Sequence, residues 1–163
     1  MYIWAVSLSH FLHILGTVVW VGGILMVFLV ILPSAKTSLE AAPMVGRLMK
    51  EVSQRFTLLA NVSIFVLIGT GIILFYHDQN HTLILDPKNI WNILIFLKLL
   101  LVATMIIIHF YRSLILNPKI AKASTQVEKT RTTRLKKFSL DLVKTNLALG
   151  IIVLMFAAVS ISL

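Results

Sequence analysis

The sequence predicts an all-α polytopic membrane protein whose four helices cross the bilayer as an antiparallel bundle. Hydrophobic residues make up 58% of the 163 residues and charged residues only 13%, whereas soluble domains carry about 25% charged residues. The apolar residues form four runs, each long enough to span a bilayer as a helix of roughly 20 residues. These runs are too long for β-barrel strands and lack their strict alternation.

The ends of the predicted helices follow from charges and prolines. The first helix, residues 3–32, contains no charged residue and ends before Pro33. The others are predicted over residues 56–76, 91–116 and 140–163, the third ending at Asn117-Pro118. Residues 1–163 are expected to form a single membrane domain, because the chain is short and has no linker or internal repeat.

The basic residues predict the topology. The connection 34–55 holds Lys36, Arg47, Lys50 and Arg55, and the connection 117–138 holds Lys119, Lys122, Lys129, Arg131, Arg134, Lys136 and Lys137. By the positive-inside rule both are cytoplasmic loops, which places both termini on the non-cytoplasmic side of the cell (inner or plasma) membrane. Topology thus explains the net charge of +9. The expected partner is the lipid bilayer, and no nucleic acid is expected.

Several reaction classes are excluded by missing residues. The chain has no cysteine, which rules out disulfides, iron–sulfur clusters and thiolate zinc sites. It contains no P-loop, no Gly-x-Ser-x-Gly and no His-Glu-x-x-His sequence. Nucleotide-driven and hydrolytic functions therefore have no support.

Polar side chains at membrane depth are the candidate functional residues, because they are costly there and usually have a role. At about 1.5 Å per helical residue, His13 lies roughly 28 Å above the predicted cytoplasmic end of its helix and Lys98 roughly 27 Å above the end of the third. His10 and His77 fall at about 32 Å, and His81 follows in the outer loop. His109 lies only about 10 Å above the cytoplasmic end. We therefore predict a site near the outer face.

A stripe along the first helix contains His13. Gly16, Trp20 and Gly23 follow His13 at spacings of three, seven and ten residues, which places all four on one helix face. Glycines on such a face let a neighbouring helix or a flat ligand approach the backbone. Helix packing and cofactor binding are both open on this basis.

Several short segments occur in a fixed order along the chain: the run from His13 through Trp20-Val-Gly-Gly23 to Leu32-Pro33, then Arg55-Phe56, Gly69-Thr-Gly71, Leu97-Lys98-Leu-Leu-Leu-Val102 and Leu116-Asn-Pro-Lys119. In these segments the chain resembles CopD-like membrane proteins, which include the copper-resistance D domain and short relatives. The order and spacing of these segments carry the resemblance, which covers most of the chain. The resemblance implies copper uptake across the inner membrane.

A more distant similarity is to HemJ-type protoporphyrinogen oxidases, small four-helix membrane proteins that bind haem b. That family has a first-helix histidine with a tryptophan seven residues later, and a lysine in the third helix. His13, Trp20 and Lys98 fall on those positions. The arginine and tyrosine that the family carries later in the first helix are missing from residues 24–33.

Three functions follow as hypotheses. The first is copper uptake or binding at an outward-facing metal site formed by His10, His13, His77 and His81, since imidazole suits copper. The second is a haem b redox protein with His13 as one axial ligand and Lys98 or His77 as the other. Gly16 and Gly23 would then leave room for the porphyrin and Trp20 would pack its edge. Only this second function would make the protein an enzyme, an oxidoreductase.

The third hypothesis is a non-catalytic subunit of a larger membrane complex. The sequence leaves open a homo-oligomer, because four helices alone would make a thin transporter.

Overall fold

The fold is all-α, as predicted. The computed structural model describes residues 2–39, 41–77, 90–122 and 129–161, and these ranges contain helices and no strand. Within them, four helices are long and apolar enough to cross a membrane: Ile3–Ser38, Pro43–His77, Asn92–Ala121 and Thr132–Ser160. We call them spans 1 to 4. The side of the membrane on which the termini lie stays a prediction.

The helices extend further on the predicted cytoplasmic side than the hydropathy pattern indicates. The first continues through Pro33 to Ser38, and the second begins at Ala42 rather than at residue 56. The third continues to Lys122, and the fourth begins at Lys129 rather than at residue 140. Residues 34–55 and 117–138, predicted as loops, are therefore largely helical in the described ranges. Hydropathy detects only the lipid-facing part of a helix, whereas Lys, Arg, Glu and Gln continue a helix readily.

Two prolines that were predicted to end helices lie inside them. A proline in a helix removes one hydrogen bond and crowds the carbonyl four residues earlier. Here a π-helical turn precedes each proline, at Val27–Ile31 before Pro33 and at Tyr111–Leu116 before Pro118. The wider π turn changes which carbonyls are bonded, as where the Leu32 N–H reaches the Val27 carbonyl. The helix therefore continues through the proline instead of ending before it.

The chain divides into two compact units. Unit 1 covers residues 1–82 and unit 2 covers residues 83–163. Span 1 packs against span 2 in unit 1, and span 3 packs against span 4 in unit 2. The most deeply buried apolar side chains of unit 1 include Trp20, Ile24 and Ile64, and those of unit 2 include Met105 and Leu116. That the whole chain forms one membrane domain stays a prediction.

Large apolar side chains are exposed along all four spans. Trp4 is 80% exposed, Phe65 68% and Leu114 69%. Exposure of this apolar surface to water would be unfavourable, because the transfer of apolar area out of water is the main favourable term in folding. In a bilayer the same side chains contact lipid. The chain is therefore a multi-pass membrane protein with the lipid bilayer as its solvent.

Candidate functional site

His13 is held at the interface between spans 1 and 2. Its Nδ1 lies 2.9 Å from the Thr70 hydroxyl oxygen, a contact between residues 57 positions apart in the chain. The side chain is half-buried. The backbone carbonyl of His13 accepts a hydrogen bond of 2.9 Å from the Thr17 hydroxyl. The imidazole is thus fixed by a neighbouring helix rather than directed outward from its own.

The hydrogen bonds of Thr70 determine which imidazole nitrogen carries the proton. The Thr70 hydroxyl donates to the Val66 carbonyl at 2.7 Å, and a hydroxyl has only one hydrogen to donate. With that hydrogen on the carbonyl, the Thr70 oxygen is an acceptor for His13, which assigns the N–H to Nδ1. In the neutral ring this places the lone pair on Nε2. That tautomer, oriented by a hydrogen bond at the other nitrogen, is the form in which histidine binds metals.

Span 2 offers the imidazole a small residue to lie against. A Cβ atom placed on Gly71 would lie 3.6 Å from Cε1 of His13. That distance is ordinary van der Waals contact, so alanine fits there, but a longer side chain pointing the same way would meet the ring. Gly71 and Thr70 together form the surface on which the imidazole of His13 lies.

The glycine stripe of span 1 serves helix packing. A Cβ on Gly16 would lie 3.1 Å from Cγ of Leu67, and one on Gly23 would collide with the ring of Phe56. Span 2 therefore packs beside both glycines, as the packing interpretation of the stripe expects, and cofactor binding at Gly16 and Gly23 stays a prediction. Trp20, between them, is 2% exposed. The room that a porphyrin would need beside Gly16 and Gly23 is occupied by Leu67 and Phe56.

Two of the other three histidines of the predicted metal site lie within the described residues. His10 and His77 are both exposed, and His81 lies outside the described residues. Within the described ranges, no group of three or more His, Cys, Asp or Glu side chains is placed to hold a metal ion. A four-histidine site therefore stays a prediction, with His13 as its best-positioned member.

The remaining polar candidates belong to unit 2. Lys98 is half-buried in span 3, and His109 is 5% exposed. Because Lys98 and His13 lie in different units, their predicted proximity stays a prediction. Asp141 and Lys144 form an exposed ion pair with a separation of 4.0 Å.

Sequence reasoning missed the residues that orient the others. In the sequence, Thr70 belongs only to the Gly69-Thr-Gly71 motif, which assigns it no role. A threonine flanked by two glycines nevertheless leaves space for a ring to approach the helix. Ser139 was not singled out, yet it accepts a hydrogen bond of 3.3 Å from Arg112. The buried Asn146 was also missed. Single serines, threonines and asparagines in apolar runs give no periodic signal, so only the packing of two helices identifies them.

The comparisons with known proteins agree with the resemblance seen in the sequence. The family model described as copper resistance protein D matches residues 50–160, about two thirds of the chain. The matched range includes Thr70 and all of spans 3 and 4. His13 precedes it and is not matched. No curated protein and no solved structure matches the chain.

Proposed function

The chain belongs to the copper resistance protein D family, and from this premise we propose that it takes up copper across the membrane through an imidazole site at His13. The family assignment connects the protein to copper in general. The position of the site and the direction of transport are our proposal. With the termini on the non-cytoplasmic side, as the charge distribution favours, His13 lies towards the entrance of the pathway.

The observation that carries the proposal is the hydrogen bond between His13 and Thr70. It selects the tautomer with its lone pair on Nε2 and restricts the ring to one orientation. Imidazole is a good ligand for copper, and an oriented ligand binds more tightly than a mobile one. Hydrogen-bonded partners of metal-binding histidines typically contribute 10- to 100-fold to affinity. His10, His77 and His81 are candidates for further ligands from the exposed side.

The test is copper uptake by the purified protein reconstituted into liposomes. We expect His13→Gln to abolish uptake, because an amide can still bond to Thr70 but offers no imidazole lone pair. Thr70→Val should reduce Cu(I) affinity about 10- to 100-fold by removing the orienting hydroxyl, and Thr70→Ser should restore it. Uptake that is unchanged in both His13→Gln and Thr70→Val would contradict the proposal.

Thr104 provides a matched control for the Thr70 variant. It is also a threonine within a span, and its hydroxyl likewise donates to a carbonyl four residues earlier, that of Leu100, at 2.9 Å. It is exposed and lies on span 3. Thr104→Val therefore makes the same chemical change at an exposed position of span 3, and we expect normal uptake.

The haem alternative can be tested with the same preparation. If His13 were an axial ligand of haem b, the purified protein would be red and its Soret band would collapse in His13→Ala. Under the copper proposal the protein is colourless and binds Cu(I). The filled space beside Gly16 and Gly23 gives the haem alternative no support.

A further inference from the structure

Span 3 buries two potential copper ligands one helical turn apart. Met105 is 1% exposed and His109 is 5% exposed. They are four residues apart in the continuous helix Ile90–Phe110, so their side chains are neighbours on one face. The thioether of methionine and the imidazole of histidine are both ligands that suit Cu(I). Neither residue is among those proposed for the site at His13.

A hydrogen bond between spans 3 and 4 defines which residues of unit 2 lie at the same level. Arg112 Nε donates to the Ser139 hydroxyl oxygen at 3.3 Å, so these two helix faces are directed towards each other. Two residues seven positions apart in a helix lie on nearly the same face, two turns from each other. Met105 lies seven residues before Arg112, and Asn146 lies seven residues after Ser139. Because the two helices run antiparallel, Met105 and Asn146 lie at similar heights on the facing sides.

Asn146 adds a third, independent observation. It is 4% exposed, and its side-chain oxygen Oδ1 is buried without a hydrogen-bond partner. A buried polar atom without a hydrogen-bond partner is a candidate to bind a ligand, a water molecule or an ion. The amide oxygen is an acceptor, so the partner it takes is a cation or a hydrogen-bond donor and not an anion.

We propose that Met105 and His109 bind one Cu(I) ion between spans 3 and 4, with the Asn146 oxygen stabilising its charge. The site takes a soft monovalent ion because one of its two donors is a thioether. This inference rests on the proposed function for the arrival of copper, and it adds a second binding position to the pathway. No bond within the protein is made or broken, and copper stays in the Cu(I) state.

The test is X-ray absorption at the copper edge, recorded on the full-length protein in nanodiscs loaded with Cu(I). We expect sulfur and nitrogen scatterers in the wild type. Met105→Leu, which nearly conserves side-chain volume, should remove the sulfur signal and lower the bound copper by about one ion per chain. Asn146→Leu should keep the sulfur signal but weaken the affinity about 10-fold.

Met155 provides the matched control. It lies on span 4 and is 62% exposed, so Met155→Leu should leave the sulfur signal intact. A wild type without copper–sulfur scattering, or a signal that persists in Met105→Leu, would overturn the inference. His13→Gln separates the two proposals. If it transports copper normally while Met105→Leu loses the sulfur signal, the site at His13 fails and the site at Met105 stands.

Discussion

Units 1 and 2 bury different kinds of polar side chains. In unit 1 the buried polar residues described are Ser9, Ser63 and Thr70, and each hydroxyl donates to the carbonyl four residues earlier in its own helix. In unit 2 the corresponding set is Asn92, His109, Thr132 and Asn146. Inside a helix the backbone N–H groups are already bonded, so the acceptor atom of an amide or an imidazole finds no donor in its own helix. It needs a partner on another helix, a ligand or an ion.

The difference indicates how each helix pair can bind an ion. In unit 1 the local hydroxyl bonds leave close packing unaffected, and His13 bonds across the helix interface to Thr70. In unit 2 a hydrogen bond between two half-buried side chains, Arg112 and Ser139, joins spans 3 and 4. We therefore expect unit 1 to be sensitive to side-chain volume and unit 2 to be sensitive to the loss of polar partners.

The largest effect should come from adding volume in unit 1. Gly23→Ala places a methyl group against the Phe56 ring, and overpacking of this kind typically costs about 1–3 kcal/mol. We expect a correspondingly lower free energy of unfolding, measured by denaturant titration of the protein in mixed micelles. Phe56→Leu in the same background should restore part of the loss.

Gly22 is the control for this prediction. A Cβ there meets no atom within 4 Å. Gly22→Ala should therefore be neutral or stabilise by up to about 1 kcal/mol through helix propensity. Equal destabilisation by the two substitutions would show that helix flexibility, rather than packing against Phe56, determines the need for glycine.

The next largest effect should come from removing a polar partner in unit 2. Ser139→Ala leaves the Arg112 guanidinium without its Ser139 acceptor. Hydrogen bonds to charged groups contribute about 1.5–3 kcal/mol, and we expect a loss near the lower end because the distance is long. Asp141→Ala, which breaks an exposed ion pair two residues away, should cost less than about 0.5 kcal/mol. A Ser139→Ala variant as stable as the wild type would argue against the cross-helix bond.

A gain in stability is expected from Asn146→Leu. The substitution removes a buried oxygen that has no hydrogen-bond partner, and leaving such a group buried costs about 1–3 kcal/mol. Without copper we expect the variant to be about 1 kcal/mol more stable than the wild type, although it binds Cu(I) more weakly. Destabilisation of the metal-free protein would instead indicate a structural role for the amide.

The smallest effect should come from the locally bonded hydroxyls of unit 1. Ser63→Ala removes a hydroxyl whose 2.9 Å bond is to Leu59 in the same helix. Both partners of that bond lie on one helix, so little tertiary stability is lost, and we expect a change below about 0.5 kcal/mol in the same unfolding titration. A larger loss would mean that the Ser63 hydroxyl also holds spans 1 and 2 together.

Most of the fold could be predicted from the sequence. Apolar runs of membrane-spanning length and the lack of charges within them predict the four spans, because lipid requires both. The helix ends could not be predicted in the same way. Pro33 and Pro118 resemble stop signals, and the π turns before them arise from backbone hydrogen bonding that no residue pattern reveals.

The candidate site was predictable in part. His13 stood out because an imidazole at membrane depth is costly, and Gly16 and Gly23 stood out by their spacing. The partner of His13 did not, since a threonine can bond to its own helix and needs no explanation in a sequence. The same holds for Asn146, whose importance depends on burial against a neighbouring helix rather than on position.

The most direct measurement is the ¹⁵N NMR spectrum of the His13 ring, titrated with Cu(I) in nanodiscs and assigned by its loss in His13→Gln. The account predicts that the proton lies on Nδ1 in the metal-free protein, and that Cu(I) binding shifts Nε2 more than Nδ1. A proton on Nε2 in the metal-free protein, or no shift of either nitrogen with Cu(I), would contradict it.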